Sequence, residues 1–279
     1  MATRLDLSKS SGASVRAPFT FGRIVCAVDG SRSAREAVHQ ATKLAGPLDT
    51  LTFVAVSDAR GVGPMAQATL GERHAEEAVE AARAAAQADG VEATSVIVHA
   101  SDVGRALLDA AGDSGLLVVG SHGQSRTAGI LLGSTTTRAL HESAVPVLVA
   151  RSRPELAFPG AILVGIQGVE DHHAAVVAAT IAARHHSHVV LAHAGHSGPA
   201  VRHALAEQAT DVLEITGRDP VIVSVDAAPA ERLPGMAISI GAGLLVLGSH
   251  GRRGPRALTS VSERVAHRAS CSVLVLRPN

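Results

Sequence analysis

Residues 116–136 run Leu-Leu-Val-Val-Gly-Ser-His-Gly-Gln-Ser-Arg-Thr-Ala-Gly-Ile-Leu-Leu-Gly-Ser-Thr-Thr. The four apolar residues at the start predict a buried parallel strand. The hydroxyl residues after Gly133 predict a helix start, because Ser and Thr are favoured at helix caps. The stretch is therefore predicted to be a strand, a glycine-punctuated loop and a helix N-terminus.

This order of elements favours the binding of an anion. Glycine lets the backbone approach a phosphate, and the free N–H groups and the dipole of a helix start attract its charge. The spacing fits neither a Walker A loop, which needs Gly-Lys-Ser/Thr, nor the closer glycines of the dinucleotide fingerprint. For this stretch alone, a tight connection without a ligand remains the alternative.

Composition limits the classes of protein and partner. The chain has 279 residues, enough for about two domains, and 46% of them are hydrophobic. The formal net charge is zero, and there is no Trp or Tyr and only four Phe. A neutral chain with so few stacking side chains is not expected to bind nucleic acid or anionic lipid.

The ends of the chain and its cysteines favour a soluble cytoplasmic protein. Residues 1–20 lack the apolar core of a signal peptide and are predicted to form a flexible tail. No run is long and apolar enough to span a bilayer. Cys26 and Cys271 are far apart, each in or beside an apolar run, so we expect buried small hydrophobes rather than a redox pair.

The chain contains an internal repeat. Strands are predicted at residues 23–28, 51–56, 94–98, 116–119 and 145–149, with helices between them, and matching strands recur at 162–166, 189–193, 244–248 and 272–276. Residues 244–251 repeat residues 116–123 almost letter for letter. Alternating strands and helices predict a parallel sheet covered by helices on both faces in each copy.

Two polar features fall where such sheets bind ligands, outside the carboxyl ends of the strands at the point where the winding reverses. Asp29 follows the first strand and Gly120 ends the fourth. Asp29 alone is more often a turn or cap residue. Beside a glycine loop at the same edge, a nucleotide role is favoured.

These residues resemble the universal stress protein family in its tandem, two-domain form. The family signature is Gly-x-x-Gly, nine residues, then Gly-Ser/Thr, and Gly120, Gly123, Gly133 and Ser134 match it. The resemblance implies an α/β fold of two tandem flavodoxin-like domains, each a doubly wound, five-stranded parallel sheet. The implied domains are residues 21–152 and 158–279, after the tail of residues 1–20.

The resemblance also implies ATP, with or without Mg²⁺, in the first copy. Asp29 would lie near the adenosine, the Val56 backbone at the adenine, and the hydroxyls of Ser134 and Thr135 at the phosphates. His122 is either a phosphate contact or loop filling. The implied nucleotide contacts are Ala27, Asp29, Val56, Gly120, Ser121, His122, Gly123, Gln124, Gly133, Ser134 and Thr135.

The second copy departs from this pattern. Gln167 stands in the place of Asp29, and the segment of residues 252–258 is two residues shorter than its counterpart. Thr259 replaces the last glycine, at which we expect a positive φ that Thr does not adopt cheaply. We therefore expect weak or no ATP binding in the second copy, whose main role would be to pack against the first.

The second copy is also rich in histidine, but without the converging spacing of a zinc site, so no metal is expected. His193-Ala-Gly-His196 spells the His-x-Gly-His of nucleotidyl transferases, but it follows the second strand instead of the first. Chance is the better explanation.

The predicted function is a nucleotide-responsive stress or regulatory module. No carboxylates suit magnesium and a general base beyond Asp29 and Asp58, so catalytic residues are not expected and any hydrolysis would be slow. A slow ATPase or nucleotidyl transferase and a ligand-free dimerisation scaffold are the alternatives. The last strands, at 145–149 and 272–276, are expected to pair the two copies. A homodimer of whole chains and a regulatory protein partner stay open.

Overall fold

A computed structural model describes residues 19–57, 66–122, 132–153, 157–249 and 261–277, and for residues 66–70 the backbone alone. Ten strands and eight α-helices lie along these residues and alternate within each half of the chain. In the first half they are β1 (Arg23–Ala27), α1 (Arg32–Leu44), β2 (Thr50–Ser57), α2 (Ala66–Ala88), β3 (Ala93–His99), α3 (Val103–Ala111), β4 (Leu116–Gly120), α4 (Ser134–Glu142) and β5 (Val147–Ala150). In the second half they are β6 (Ala161–Gly165), α5 (His172–His185), β7 (Val189–Ala194), α6 (Pro199–Thr216), β8 (Val221–Val225), α7 (Pro229–Ser239), β9 (Ala242–Gly248), α8 (Val261–Arg268) and β10 (Ser272–Leu276).

All ten strands form one sheet in the order β3-β2-β1-β4-β5-β10-β9-β6-β7-β8. Neighbours are parallel within each half, which confirms the doubly wound α/β class. When the strands of each half are numbered from 1 to 5 along the chain, both halves have the strand order 3-2-1-4-5. Flavodoxin has the order 2-1-3-4-5. The winding reverses between the first and fourth strands, and ligands bind at such a reversal in both arrangements.

Helix starts follow local side-chain chemistry. Ser31 caps α1, since its Oγ accepts a hydrogen bond from the N–H of Ala34 at 3.1 Å. Asp102 caps α3 in the same way, with Oδ1 3.0 Å from the N atom of Arg105. These side chains accept hydrogen bonds from backbone N–H groups of the first helical turn, which have no acceptor within the helix.

The core has two layers, one on each face of the sheet. Alternate side chains of β1 face opposite ways, so Ile24 belongs to the layer that contains α1, α2, α5 and α6, and Val25 belongs to the layer that contains α3, α4, α7 and α8. Both layers draw residues from both halves. Cys26 and Cys271 are unbonded thiols and fully buried, as the sequence predicts.

The two halves join through their last strands, as expected. β5 and β10 pair antiparallel, with Leu148 opposite Leu274 and both side chains fully buried. Because β5 and β10 run in opposite directions, the carboxyl ends of the two half-sheets lie at opposite edges. None of the described helices is both long and apolar enough to cross a membrane.

Candidate functional site

The edge of the first half-sheet brings Asp29 and Gly120 together. β1 and β4 are parallel neighbours, with Cys26 opposite Val118, so both strands end at the same edge. Asp29 is half-buried, and its Oδ1 accepts a hydrogen bond from the N–H of Ser31 at 2.9 Å. This bond forms a local turn that holds the carboxylate just before α1.

The start of α1 packs directly on the end of β4. A Cβ atom at Gly120 would lie 2.8 Å from the backbone carbonyl carbon of Ser33, so only glycine fits there. The hydroxyl of Ser33 also donates to the backbone oxygen of His122. These contacts hold the segment that follows β4 against α1.

The start of α4 folds back onto the same segment. Gly133 N donates to Ser121 O at 2.9 Å, and Thr136 Oγ1 donates to Gly120 O at 2.6 Å. Among the described side chains, none accepts a hydrogen bond from the N–H groups of Ser134 or Thr135. The N-terminus of this nine-residue helix therefore presents backbone donors that no described side chain accepts from, together with positive dipole potential, beside Gly120.

His122 adds a buried nitrogen for which the described residues provide no hydrogen-bond partner. Its Nδ1 lies 3.0 Å from Ser121 Oγ, and its Nε2 is buried with no hydrogen-bond partner among the described residues. When the Ser121 hydroxyl donates to Nδ1, the ring proton lies on Nε2, which is then a donor. Buried polar atoms without hydrogen-bond partners are rare in proteins. An oxygen atom of a ligand could accept the hydrogen bond that Nε2 donates. The donor set at this edge therefore fits a phosphate group.

Ala27 and Val56 lie on one face of the same edge. Ala27 is opposite Val54 in the β1–β2 pairing, and Val56 follows two residues later in β2. Both side chains are half-buried and pack against the core layer that α3 and α4 cover. Of the other implied contacts, Gly123 and Gln124 lie outside the described residues. Asp58, the second carboxylate considered for magnesium, lies outside them too.

The expected backbone conformation of the last glycine is wrong. Gly133 has φ −63° and ψ 157°, an extended conformation that any residue adopts. Glycine at this position is therefore not required by its φ angle. The corresponding argument against Thr259 fails on the same ground, and Thr259 itself lies outside the described residues.

The equivalent edge of the second half contains a cavity of about 140 Å³. Gln167 and Ser249 line it at the positions of Asp29 and Ser121. Asp171 also lines it, although the sequence patterns above give this residue no role. Asp171 can be found by aligning the two halves of the sequence. The alignment places the Asp171 carboxylate where the first half has Ser33.

Two histidines of the second half, His172 and His193, have structural partners within that half. His193 is buried and its Nδ1 donates to Ile166 O at 2.9 Å, whereas His196 is exposed. His172 pairs with Asp211 at 2.9 Å. Burial lowers the pKa of His173 and of His185. Within the described part of the chain, no three potential metal ligands converge.

The comparison with known proteins decides the family. Residues 20–151 and residues 160–277 each match the model of the universal stress protein family. The chain belongs to the universal stress protein family. It carries two such domains in tandem, joined by the β5–β10 pairing.

Individual universal stress proteins resemble this chain to different extents. One from Mycolicibacterium smegmatis is 31% identical over 205 residues, which cover 65% of this chain and 68% of that protein. The crystal structure of one from Archaeoglobus fulgidus has a TM-score of 0.78 at 18% identity, covering 94% of this chain and all of that one. A universal stress protein solved in complex with cAMP is 25% identical, with a TM-score of 0.41, over 44% of this chain and all of that one.

Proposed function

We propose that the first universal stress protein domain binds ATP, and that the chain is a nucleotide-responsive stress or regulatory module. The observation that carries the proposal is the cluster of donors beside Gly120. Among the described residues, the N–H groups of Ser134 and Thr135 and the buried Nε2 of His122 have no side-chain acceptor, and Asp29 follows the neighbouring strand at the same edge. A nucleotide is a ligand whose phosphates need such donors and whose ribose hydroxyls need an acceptor.

Each residue has a role in this proposal. The start of α4 and His122 bind the phosphates, with the hydroxyls of Ser134 and Thr135 as further donors. Asp29 accepts from the ribose, and its bond to the Ser31 N–H holds it in position. Ala27 and the Val56 backbone lie against the adenine. Gly120, Ser121, Gly123, Gln124 and Gly133 complete the proposed contacts.

The cellular location and the partners of the protein are proposed from the composition of the chain. We place the protein in the cytoplasm, with ATP bound with or without Mg²⁺ and with no nucleic acid or membrane partner. The neutral chain and its near absence of aromatic side chains support this proposal. No catalytic role is proposed for the residues at this edge.

Isothermal titration of the nucleotide-stripped protein with ATP and Mg²⁺ tests the site. We expect one site per chain. Asp29→Ala should weaken binding at least about tenfold, because the ribose loses its acceptor. Gly133→Val should do the same by blocking the phosphates, since the φ of −63° accepts a side chain without backbone strain.

The matched control is Asp113→Asn in the same domain. The Asp113 side chain is 99% exposed and pairs with Arg23 at 3.5 Å, away from the proposed site. Its replacement should leave the affinity for ATP unchanged. Unchanged affinity in both Asp29→Ala and Gly133→Val would exclude this site.

A further inference from the structure

Helix α4 connects opposite edges of the sheet. It joins the parallel neighbours β4 and β5, so it begins at their carboxyl ends and ends near their amino ends. Its first turn starts at Ser134 beside Gly120, and its last turn contains Leu140 and His141. Because β5 and β10 are antiparallel, this last turn lies at the edge where the strands of the second half-sheet have their carboxyl ends. The helix therefore extends from the candidate nucleotide site to the second domain.

The first domain contacts α4 near its start and its middle. Thr136 Oγ1 donates to Gly120 O at 2.6 Å, and Arg138 pairs with Asp102 at 2.7 Å. Three of the nine residues of α4 are buried. Isolated helices shorter than about 12 residues are marginal in water, so the position of so short a helix depends on its tertiary contacts.

The second domain supplies a cation to the last turn of α4. Arg277 follows β10, and its Nη2 donates to Leu140 O. The last carbonyls of a helix lack donors within the helix, and a positive charge there is favoured by the helix dipole. The same guanidinium is fixed within its own domain, since Nη1 lies 3.4 Å from Ser249 Oγ. Arg277 therefore ties the C-terminal end of α4 to the second domain.

A carboxylate of the second domain contacts the same turn. Glu263 Oε1 lies 2.5 Å from His141 Nε2, and the two side chains are 8% and 13% exposed. A charged contact that is so well buried is screened much less than a surface pair. The first domain has Thr137 at the position equivalent to Glu263. The second domain therefore supports α4 with a carboxylate contact that Thr137 cannot supply in return.

We propose that Arg277 and Glu263 of the second domain are positioning residues for the nucleotide site of the first domain. They hold the last turn of α4 and thereby keep the N–H groups of Ser134 and Thr135 where the phosphates bind. The proposal rests on the proposed function for the ligand and its place. Binding groups act best when they are held within about 0.5 Å of their productive position. The second domain then contributes to ATP binding in the first without contacting the nucleotide.

Titration with ATP and Mg²⁺ tests this role in the full chain, by comparing the wild type with Arg277→Ala and Glu263→Ala. Each change should weaken ATP binding by about tenfold, because donors to a charged phosphate are displaced. Adenosine has no phosphate, so its competition with ATP should change by less than about twofold. Arg277→Lys keeps a donor for Leu140 O and should recover part of the lost affinity.

The matched control is Leu274→Ala, on the same strand as Arg277. Leu274 is fully buried opposite Leu148 at the domain junction, in the core layer on the other face of the sheet from α4. Its truncation leaves a cavity and should lower the melting temperature at least as much as Arg277→Ala does. Its affinity for ATP should stay within about twofold of the wild type. Thermal unfolding verifies that every variant is folded at the temperature of the titration.

The positioning role is overturned if Arg277→Ala and Glu263→Ala bind ATP as tightly as the wild type, or if Leu274→Ala loses as much affinity as they do. Equal losses for ATP and adenosine would also overturn it. If adenosine does not compete measurably with ATP, the comparison with Leu274→Ala decides. A wild-type chain that binds no ATP would overturn the proposed function and the positioning role together, which distinguishes that failure from failure of the positioning role alone.

Discussion

Arg151 and Arg277 occupy equivalent positions in the two domains, and each donates a hydrogen bond to the last turn of the other domain's helix. Arg151 Nη2 donates to Ala266 O in α8 at 2.6 Å, and Arg277 Nη2 donates to Leu140 O in α4. The two arginines follow β5 and β10, the strands that join the half-sheets. Burial lowers the pKa of Arg151 to about 10, so its guanidinium remains charged at neutral pH.

Removing Arg151 should loosen the junction between the domains. Arg151→Ala leaves the carbonyls of Ala266 and Cys271 without this donor. A buried group left unsatisfied costs about 1–3 kcal/mol, so we expect the free energy of unfolding in urea to fall by about 2 kcal/mol. Arg105→Ala is the control, because the Arg105–Asp109 pair is exposed and should contribute under about 1 kcal/mol. Equal losses in the two variants would show that the Arg151 contacts do not stabilise the junction.

The buried carboxylate of Glu263 should stabilise the same junction by a similar free energy. Glu263 Oε1 lies 2.5 Å from His141 Nε2 of the other domain and 3.6 Å from His267 Nε2, and its side chain is 8% exposed. Glu263→Ala should lower the free energy of unfolding by about 2–3 kcal/mol, because both imidazoles lose their shared acceptor. Glu263→Gln retains one acceptor oxygen and should lose less than half as much.

The control for Glu263 is Glu142→Ala, whose partner Arg138 lies on the same helix in an exposed i,i+4 pair. That change should cost under about 1 kcal/mol. A double-mutant cycle with His141→Ala measures the coupling across the junction. A coupling near zero would mean that the His141–Glu263 contact does not stabilise the packing of the domains.

Both thiols should resist alkylation in the folded protein. Burial raises the pKa of Cys26 and raises that of Cys271 from 9.0 to about 11, and the thiolate is the reactive form. Mass spectrometry after iodoacetamide treatment near pH 8 should show two modified cysteines in urea and almost none without it. Rapid modification of the folded chain would contradict the burial of these strands.

The Cys271 thiol also predicts a change of stability in alkali. Its folded pKa is higher than its unfolded pKa, so the folded state holds the proton more tightly between pH 9.0 and about 11. Stability should therefore fall as the pH rises through that interval. Urea unfolding of Cys271→Ala should show a smaller fall over the same interval than the wild type does.

His185 predicts a loss of stability in acid. Its Nε2 donates to Lys43 O at 3.0 Å, which joins α5 to α1, and burial lowers its pKa below 6.5. The unfolded state then binds protons more readily, so stability is present above pH 6.5 and is lost as the pH falls through the lowered pKa. His185→Gln keeps a donor that does not titrate. Its melting temperature should fall less than that of the wild type between about pH 7.5 and 5.5.

The control for His185→Gln is the same substitution at His203. This histidine is exposed and pairs with Glu207 on the same helix at 3.3 Å. His203→Gln should follow the wild-type dependence on pH. If His185→Gln also follows it, titration of His185 does not contribute to acid stability.

Much of the fold is predictable because strong local signals agree with the tertiary structure. β10 begins and ends at the predicted residues, Ser272 and Leu276. The continuous apolar sequence of the last strands indicates burial on both faces. Their pairing with each other was expected from the family resemblance and is observed between β5 and β10. The predicted strands of the second copy omit β8, although residues 221–223 repeat the Val-Ile-Val of residues 96–98 in β3. As an edge strand, β8 leaves Val221 and Ile222 exposed.

One residue of the candidate site is predictable because close packing fixes its type. Gly120 must be glycine because α1 contacts it, and the sequence marks it by its place after an apolar run. The role of Ser33 depends on which backbone atoms lie nearby, and no short motif contains that information. The contacts of Arg151 and Arg277 are not predictable from the sequence either, because their partners lie more than 100 residues away along the chain.

The antiparallel β5–β10 junction has a consequence for how this protein can change over evolution. In a symmetric pair of identical chains, every substitution appears twice, so a glutamate next to the axis would face its own copy. Here Thr137 occupies the position equivalent to Glu263, and one carboxylate serves both His141 and His267. Fusion of the two halves in one polypeptide permits this unequal arrangement. It also frees each half to acquire residues that the other could not tolerate.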